Sequence, residues 1–307
     1  MRRLAPLLLL IAACGSQPNL PVRAAAFPVD AAHSERTFTG REMLPLWAQA
    51  WRPATEPRAV FVVVHGLKDH SSRYGELAAR LVEKGISVHA ADLRGHGRSA
   101  GSRVYITHFD DYLDDLGRFL DDVHRIEGDK PVFLFGHSMG GAIATLYTIT
   151  RKPALAGLVL SAPALHADVS GVKKAGTRLV AGISPRAGVF QLDLEKFSRD
   201  PAVVKACEDD PLVFQPGAPA RTAKELLDAI DEIESREEEV DAPLLVLHGS
   251  ADEVTDPNGS KALALRAHSK DKRLVVYPGL VHDLLHEPER AKVLEDVVSW
   301  VDAHAPK

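Results

Sequence analysis

The sequence is poor in cysteine and has no surplus of basic residues. Only two of its 307 residues are cysteine, Cys14 and Cys207. Lys and Arg number 37 against 42 Asp and Glu, which gives a formal net charge of −5. A nucleic-acid partner is therefore not expected, because proteins that bind nucleic acid usually carry a basic stripe. With 45% hydrophobic and 26% charged residues, the composition is that of an ordinary globular protein.

Long hydrophobic runs, internal repeats and metal-ligand clusters are also lacking. The apolar run near the N-terminus, residues 4–13, is too short to span a bilayer as a helix. No cluster of His, Cys, Asp or Glu has the spacing of a metal site, so neither a metal nor an organic cofactor is expected. The length instead fits one large α/β domain, or one such domain with an insertion.

The first residues have the layout of a secretory signal. Arg2 and Arg3 form a positive region, residues 4–13 are apolar, and small residues precede Cys14. Residues 11–14, Ile-Ala-Ala-Cys, resemble the lipobox of bacterial lipoproteins. The resemblance implies that residues 1–13 are a signal peptide and that Cys14 becomes the lipidated first residue. A secreted or periplasmic protein with a chance cysteine is the alternative.

Lipidation of Cys14 would anchor the protein in the cell envelope through a tether. Residues 14–33 are rich in Pro, Ala and small polar residues, as a tether would be. By the same resemblance, the absence of Asp after Cys14 favours the outer membrane. Removal of residues 1–13 takes away two Arg and no acid, so the mature charge is −5 − 2 = −7. Cys207 would then have no cysteine with which to form an intrachain disulfide.

Strand and helix patterns alternate along most of the remaining chain. Residues 36–39 and 46–51 predict an antiparallel hairpin, and the β-branched run 59–64 predicts a strand buried on both faces. The patterns that follow predict helices at 74–84, 109–126, 142–150 and 291–303, and strands at 86–91, 131–135, 155–160, 244–247 and 274–277. This rhythm predicts an α/β fold with a mostly parallel central sheet flanked by helices.

Residues 163–241 interrupt the rhythm. They contain helical patterns, clearest at 172–183 and 223–233, and no convincing strand. An all-helical insertion in an α/β sheet is typical of a cap (lid). We therefore divide the fold into a core, residues 34–162 and 242–307, and a helical cap, residues 163–241.

Ser138 lies in a G-x-S-x-G motif, residues 136–140, between a predicted strand and a predicted helix. In this context the motif indicates a tight turn that exposes a nucleophilic serine. The glycines leave space where any side chain would clash. The N–H of Met139 would then point at a developing oxyanion.

A serine nucleophile needs a base and a group that orients the base. In this fold class the chain order is Ser, then Asp or Glu, then His. Asp252 and His282 each follow a predicted strand, where open α/β sheets place their sites. The runner-up acid and base are Asp256 and His286. His248, just before Asp252, is interpreted as structural.

The second oxyanion donor is expected in the loop after the first parallel strand. We assign the backbone N–H of Leu67 to it and interpret His65 as structural. Asp92 and His96 lie in a glycine-rich stretch that predicts a tight turn with local hydrogen bonds rather than a site.

Several motifs together resemble the monoacylglycerol lipase/lysophospholipase family of α/β-hydrolases. They are His65-Gly66-Leu67 with Arg73-Tyr74, Asp92-Leu93-Arg94-Gly95-His96-Gly97-Arg98-Ser99, Gly136-His137-Ser138-Met139-Gly140-Gly141, Asp210-Pro211-Leu212, His248-Gly249-Ser250-Ala251-Asp252 and Val281-His282. The resemblance covers about residues 35–304. It implies a helical lid and cleavage of a single-chain acylglycerol, a lysophospholipid or a similar ester.

The cap is expected to select the substrate. Its residues Leu179 and Ile183, with Val180 and Val189, either line an acyl channel or pack the cap onto the core. A small-ester esterase and a proline-type aminopeptidase remain alternatives on the same fold. A lipid-binding lipoprotein without turnover is the non-enzymatic alternative, although it would have no need for all three triad residues.

Overall fold

The computed structural model describes residues 32–168, 170–191 and 193–307. The expected signal peptide, Cys14 and nearly all of the tether lie outside these ranges. Within them, no helix combines the length and the apolar character needed to cross a bilayer.

The described ranges contain ten strands and eight α-helices. In chain order they are β1 Ala32–Thr39, β2 Pro45–Arg52, β3 Ala59–Val64, α1 Gly75–Glu83, β4 Ile86–Ala91, α2 Asp110–Glu127, β5 Val132–His137, α3 Met139–Arg151, β6 Gly157–Ser161, α4 Gly171–Ile183, β7 Gly188–Phe190, α5 Pro201–Asp209, β8 Ala218–Pro219, α6 Ala220–Glu234, β9 Leu244–Gly249, α7 Pro257–Arg266, β10 Lys272–Tyr277 and α8 Arg290–His304.

Eight strands form one sheet in the order β1-β2-β4-β3-β5-β6-β9-β10. The pairs β1/β2 and β2/β4 are antiparallel, and all other neighbours are parallel. Apolar side chains of α1 and α8 cover one face, and those of α2 and α3 cover the other. β3 is therefore buried along its whole length, as its β-branched sequence predicts. The α/β fold with a mostly parallel sheet is confirmed.

The element boundaries differ from the sequence prediction at a few places. The helix after Ser138 begins at Met139 rather than at residue 142, so the serine directly precedes its first turn. α5 and α7 were not predicted, although each begins with an aspartate N-cap followed by proline. The expectation of a cap without strands is wrong, because β7 and β8 form a small antiparallel pair. Strands of three and two residues are too short for alternation to be visible.

Residues 163–241 leave the sheet after β6 and return at β9. These two strands are neighbours, with Leu158 opposite Leu244. Within the insertion, α4 packs on α6, and α6 packs on α3 of the core. α3 is the helix that begins next to Ser138, so the insertion lies beside that serine.

Candidate active site

The turn between β5 and α3 holds Ser138 in a strained backbone conformation. Its φ is 54° and its ψ is −121°, a region that non-glycine residues rarely adopt. The flanking glycines are required by close backbone approach. A Cβ at Gly136 would lie 2.4 Å from the carbonyl oxygen of Gly140, and one at Gly140 would lie 2.2 Å from that of Val64. The G-x-S-x-G pattern is thus a steric consequence of the turn.

Two backbone N–H groups next to Ser138 are available to a ligand. They belong to Leu67, in the loop after β3, and Met139, the first residue of α3. Within the described ranges, neither N–H donates a hydrogen bond to another residue. Both residues line the same cavity as Ser138. The N-terminus of α3 adds a partial positive charge, which favours an anionic oxygen at this position.

Asp252 and His282 meet at the carboxyl ends of β9 and β10. His282 Nδ1 lies 2.8 Å from Asp252 Oδ2, and both side chains are almost fully buried. The other carboxylate oxygen, Oδ1, accepts the backbone N–H groups of Val254 at 2.8 Å and Thr255 at 2.9 Å. Asp252 is therefore fixed by its own loop, and its orientation determines that of the His282 ring.

Burial alone would raise the pKa of Asp252. The charge of His282 and the hydrogen bonds from His248, His282 and the Thr255 N–H outweigh this effect, so the pKa lies well below its usual range. Asp252 is thus ionised at any working pH.

Thr255 was not singled out in the sequence, yet its Oγ1 lies 2.9 Å from Asp252 Oδ2 and 3.2 Å from His282 Nδ1.

The runner-up residues have other partners. Asp256 caps α7 by accepting the N–H of Asn258 at 2.8 Å. His286 Nδ1 lies 2.7 Å from Asp283 Oδ1, and its Nε2 lies 2.9 Å from the carbonyl oxygen of Arg73. Both ring nitrogens of His286 are therefore occupied. The structure pairs Asp252 with His282, the first choice on sequence grounds.

A buried ionic cluster lies behind this pair. Arg73 Nη1 lies 3.2 Å from Asp69, and its Nη2 lies 2.5 Å from Asp283, the residue after His282. Burial opposes ionisation of both aspartates, but the Arg73 charge holds the pKa of each well below its usual range. Arg73 therefore joins the loop of Leu67 to the loop of His282. Its position next to Tyr74 was noted in the sequence, but its role was not.

His137, the residue before Ser138, packs against the His282 ring. The two ring centroids are 4.9 Å apart, and His137 Nδ1 lies 3.1 Å from the carbonyl oxygen of Ser161. Burial, followed by the nearby His282, lowers the pKa of His137 to about 4. His137 is thus neutral near pH 7 and does not repel a positive charge on His282.

The structural interpretations of His65 and Asp92 agree with the contacts. His65 accepts the N–H of Leu93 at 2.9 Å through Nε2, and its Nδ1 lies 2.7 Å from the carbonyl oxygen of Gly66. Asp92 accepts the N–H groups of Ser71 and Arg98, both at 2.7 Å. These hydrogen bonds hold the loops in place and leave neither residue directed at the cavity.

Ser138, Asp252 and His282 line one cavity of about 780 Å³ beneath the cap. Its cap side is formed mainly by one apolar face of α6. The α6 residues that line it are Thr222, Ala223, Leu226, Leu227 and Ile230. Aliphatic walls next to a serine hydroxyl suit an acyl chain better than a charged group.

Of the four residues considered for an acyl channel, Val189 lines this cavity, whereas Leu179, Val180 and Ile183 do not. Leu179 and Ile183 are 64% and 76% exposed and form an outward face of α4 together with Val172. Lys173 and Thr177 face the cavity instead. Helical periodicity identifies the apolar face of α4, but it cannot show which way that face points when a neighbouring helix packs on a different side.

Comparison with known proteins identifies the family of this chain. The family model described as "Serine aminopeptidase, S33" matches residues 55–289. The chain is 37% identical to the monoacylglycerol lipase of Mycolicibacterium smegmatis over 90% of this chain and 99% of that protein. It is 34% identical to the monoglyceride lipase of Homo sapiens over 83% of this chain and 86% of that protein.

A solved structure supports the same family assignment. The crystal structure of Paleococcus ferrophilus monoacylglycerol lipase superposes with a TM-score of 0.76 at 31% sequence identity, covering 85% of this chain and 99% of the other. The chain therefore belongs to the monoacylglycerol lipase family of the α/β-hydrolase superfamily and is a carboxylic ester hydrolase.

Proposed function

We propose that Ser138, His282 and Asp252 form a catalytic triad that cleaves the ester of a monoacylglycerol or lysophospholipid. The observation that carries this proposal is that all three side chains line one cavity, with Asp252 and His282 joined at 2.8 Å. The strained Ser138 backbone and the two free N–H groups beside it support the same assignment.

The proposed reaction follows the usual order of acyl transfer. Ser138 attacks the ester carbonyl while His282 takes its proton, and Asp252 stabilises the resulting imidazolium. The N–H groups of Leu67 and Met139 bind the oxyanion of the tetrahedral intermediate. His282 then gives its proton to the departing alcohol. A water activated by His282 cleaves the acyl-enzyme and releases the fatty acid.

The cavity walls favour a long aliphatic acyl chain. Each methylene buried against the apolar face of α6 contributes about 0.8 kcal/mol. Asp168, Glu253 and Asp256 also line the cavity, as does Lys173. A neutral glycerol head group meets less repulsion there than an anionic one, so monoacylglycerol is the preferred substrate and lysophospholipid the second.

We also propose that the protein acts at a membrane surface. A lipid anchor at Cys14 would hold the cap close to the bilayer, where single-chain amphiphiles partition. The exposed α4 face, Val172, Leu179 and Ile183, supplies apolar area for contact. A mature charge of −7 gives no general attraction to an anionic surface.

The triad is tested by single substitutions. Ser138→Ala should fold normally, lose activity by several orders of magnitude and lose labelling by a fluorophosphonate probe. Asp252→Asn and His282→Ala should be similarly impaired. The matched controls Asp256→Asn and His286→Ala should keep most of the activity. Labelling that persists in Ser138→Ala would refute the nucleophile assignment.

The substrate is tested with a panel of mono-, di- and triacylglycerols, lysophospholipids, acetyl esters and aminoacyl amides. Long-chain monoacylglycerol should give the highest kcat/KM, and amide cleavage as the main activity would favour the aminopeptidase alternative. Leu226→Asp, in the cavity wall, should reduce long-chain more than acetyl-ester turnover. Leu179→Asp, on the exposed face, should leave soluble substrates unaffected and slow only substrates presented in vesicles. Equal losses on long and short chains in Leu226→Asp would contradict the acyl-channel proposal.

A further inference from the structure

Asp252 lies between two buried histidines. On one side is His282. On the other, His248 Nε2 lies 3.2 Å from the same carboxylate oxygen, Oδ2, and 3.3 Å from the carbonyl oxygen of Thr255. His248 is the fifth residue of β9, and its side chain is fully buried. On sequence grounds, His248 is interpreted as structural.

The outer nitrogen of His248 also has a partner. Its Nδ1 lies 2.6 Å from Ser260 Oγ, on α7, and Ser260 is fully buried as well. A carboxylate and a carbonyl oxygen only accept hydrogen bonds, so the proton of neutral His248 is on Nε2. Ser260 then donates to Nδ1. This network assigns one tautomer to His248 and one orientation to its ring.

We propose that His248, fixed by Ser260, is a positioning residue that extends the triad to Ser138–His282–Asp252–His248–Ser260. This inference rests on the proposed function of the first three residues. His248 and Ser260 are not among the residues that line the cavity, so they act on the reaction through Asp252 and not through the substrate. The N–H of His248 holds Oδ2 and the Thr255 carbonyl in place, and it withdraws part of the negative charge that Asp252 presents to His282.

Other ionisable groups face this row of side chains. They come from the end of β5 and from the loops after β3 and β10. They are His137 against His282 and, around His137, Asp69, Arg73 and Asp283. None of them contacts His248, whose ionisable neighbour is Asp252. A change at His248 is therefore transmitted to His282 through that carboxylate.

The sign of the effect on pH dependence follows from the charge on Asp252. Without the His248 N–H, the carboxylate is less well oriented, so kcat should fall. Its negative charge is also no longer shared with the His248 N–H, so it attracts the imidazolium form of His282 more strongly. The acid limb of the kcat/KM profile should then move to higher pH. Loss of packing alone would lower stability without moving this limb.

The experiment compares His248→Leu, His248→Gln and Ser260→Ala in the full-length protein on a soluble ester. His248→Leu should lower kcat about tenfold with KM nearly unchanged, as expected for one charge-assisted hydrogen bond, and should move the acid limb upward by about half a pH unit. His248→Gln keeps a donor near the Nε2 position and should restore most of kcat and the original limb. Ser260→Ala should change both values in the same direction as His248→Leu, but less.

The control is Ser269→Ala. Ser269 is a buried serine whose Oγ donates to the carbonyl oxygen of Asp271 and contacts neither His248 nor His282. It should match the wild type in both values. An unchanged limb in both His248→Leu and Ser260→Ala would overturn the proposal, as would a His248→Gln variant no better than His248→Leu. If His248→Leu fails to fold, Ser260→Ala and His248→Gln decide. Activity that survives in Asp252→Asn would instead refute the triad itself.

Discussion

Replacing Glu237 by glutamine should stabilise the protein at alkaline pH. Glu237 lies in the short 3-10 turn Glu237–Glu239, where the chain returns from the cap to the core. Its side chain is buried, and within the described ranges neither carboxylate oxygen has a hydrogen-bond partner. Arg266 lies 3.3 Å away but is half-exposed, so solvent screens this ion pair.

The magnitude follows from the pKa. Burial raises the pKa of Glu237 from 4.5 to about 7, against the opposing charge of Arg266. A group whose folded-state pKa is raised binds its proton more tightly in the folded protein, so ionising it above pH 7 costs stability, and this cost disappears as the pH falls towards 4.5. The shift corresponds to at most about 3 kcal/mol in the free energy of unfolding. Because Arg266 and the solvent around it reduce the effect of the Glu237 charge, we expect a difference of about 2 kcal/mol between the two proteins.

The assay is urea unfolding of the wild type and Glu237→Gln at pH 5, 6, 7 and 8. The glutamine variant should be more stable by about 2 kcal/mol at pH 8 and by less than about 1 kcal/mol at pH 5. Buried neutral histidines such as His96 and His137 also make stability pH-dependent, but they are common to both proteins and cancel in the difference. The matched control is Glu238→Gln, which removes a half-exposed, solvent-screened carboxylate beside the same Arg266. A stability difference that is the same at pH 5 and pH 8 would refute the reasoning.

Three further predictions concern other parts of the chain. Gly140→Ala should abolish activity and lower the thermal midpoint, because the new Cβ would lie 2.2 Å from the Val64 carbonyl oxygen. Ester turnover measures the first effect, and thermal unfolding followed by circular dichroism measures the second. Arg73→Met should destabilise by about 3–5 kcal/mol in urea unfolding, since it removes the cation that lies between two buried carboxylates. Adding Asp283→Asn should recover part of this loss. Cys14→Ser should prevent labelling by a metabolic fatty acid and move the protein from membrane to soluble fractions; an unlabelled wild type would indicate an ordinary secreted protein.

Local patterns were sufficient for the core of the fold and for the candidate triad. Strand β3 and the turn at Ser138 could be predicted because each depends on neighbouring residues: a β-branched run in one case, glycines two positions either side of a serine in the other. Asp252 and His282 follow strands whose carboxyl ends must meet in a parallel sheet. Chain order and topology therefore bring them together without any knowledge of the contacts.

Features that depend on distant contacts could not be predicted. Arg73 and Asp283 are 210 positions apart, and only the folded chain shows that they join two loops of the site. The outward direction of Leu179 depends on how α4 packs against α6, where Lys174 meets Asp231. The raised pKa of Glu237 depends on its burial. In the sequence, a run of three glutamates indicates a solvated surface instead.

The place at which the insertion joins the sheet has a consequence for divergence and engineering. Since β6 and β9 are hydrogen-bonded neighbours, residues 163–241 occupy the position of an ordinary crossover between adjacent parallel strands. Exchanging this segment for another of similar span keeps the register of the sheet only if the new segment replaces two contacts with the site. The N–H of Ala164 donates to the carbonyl oxygen of Ser138 at 3.0 Å, and the carbonyl oxygen of Phe197 accepts the N–H of Asp283 at 2.8 Å. A new substrate range can therefore be acquired through one continuous gene segment, provided that the segment keeps these two contacts.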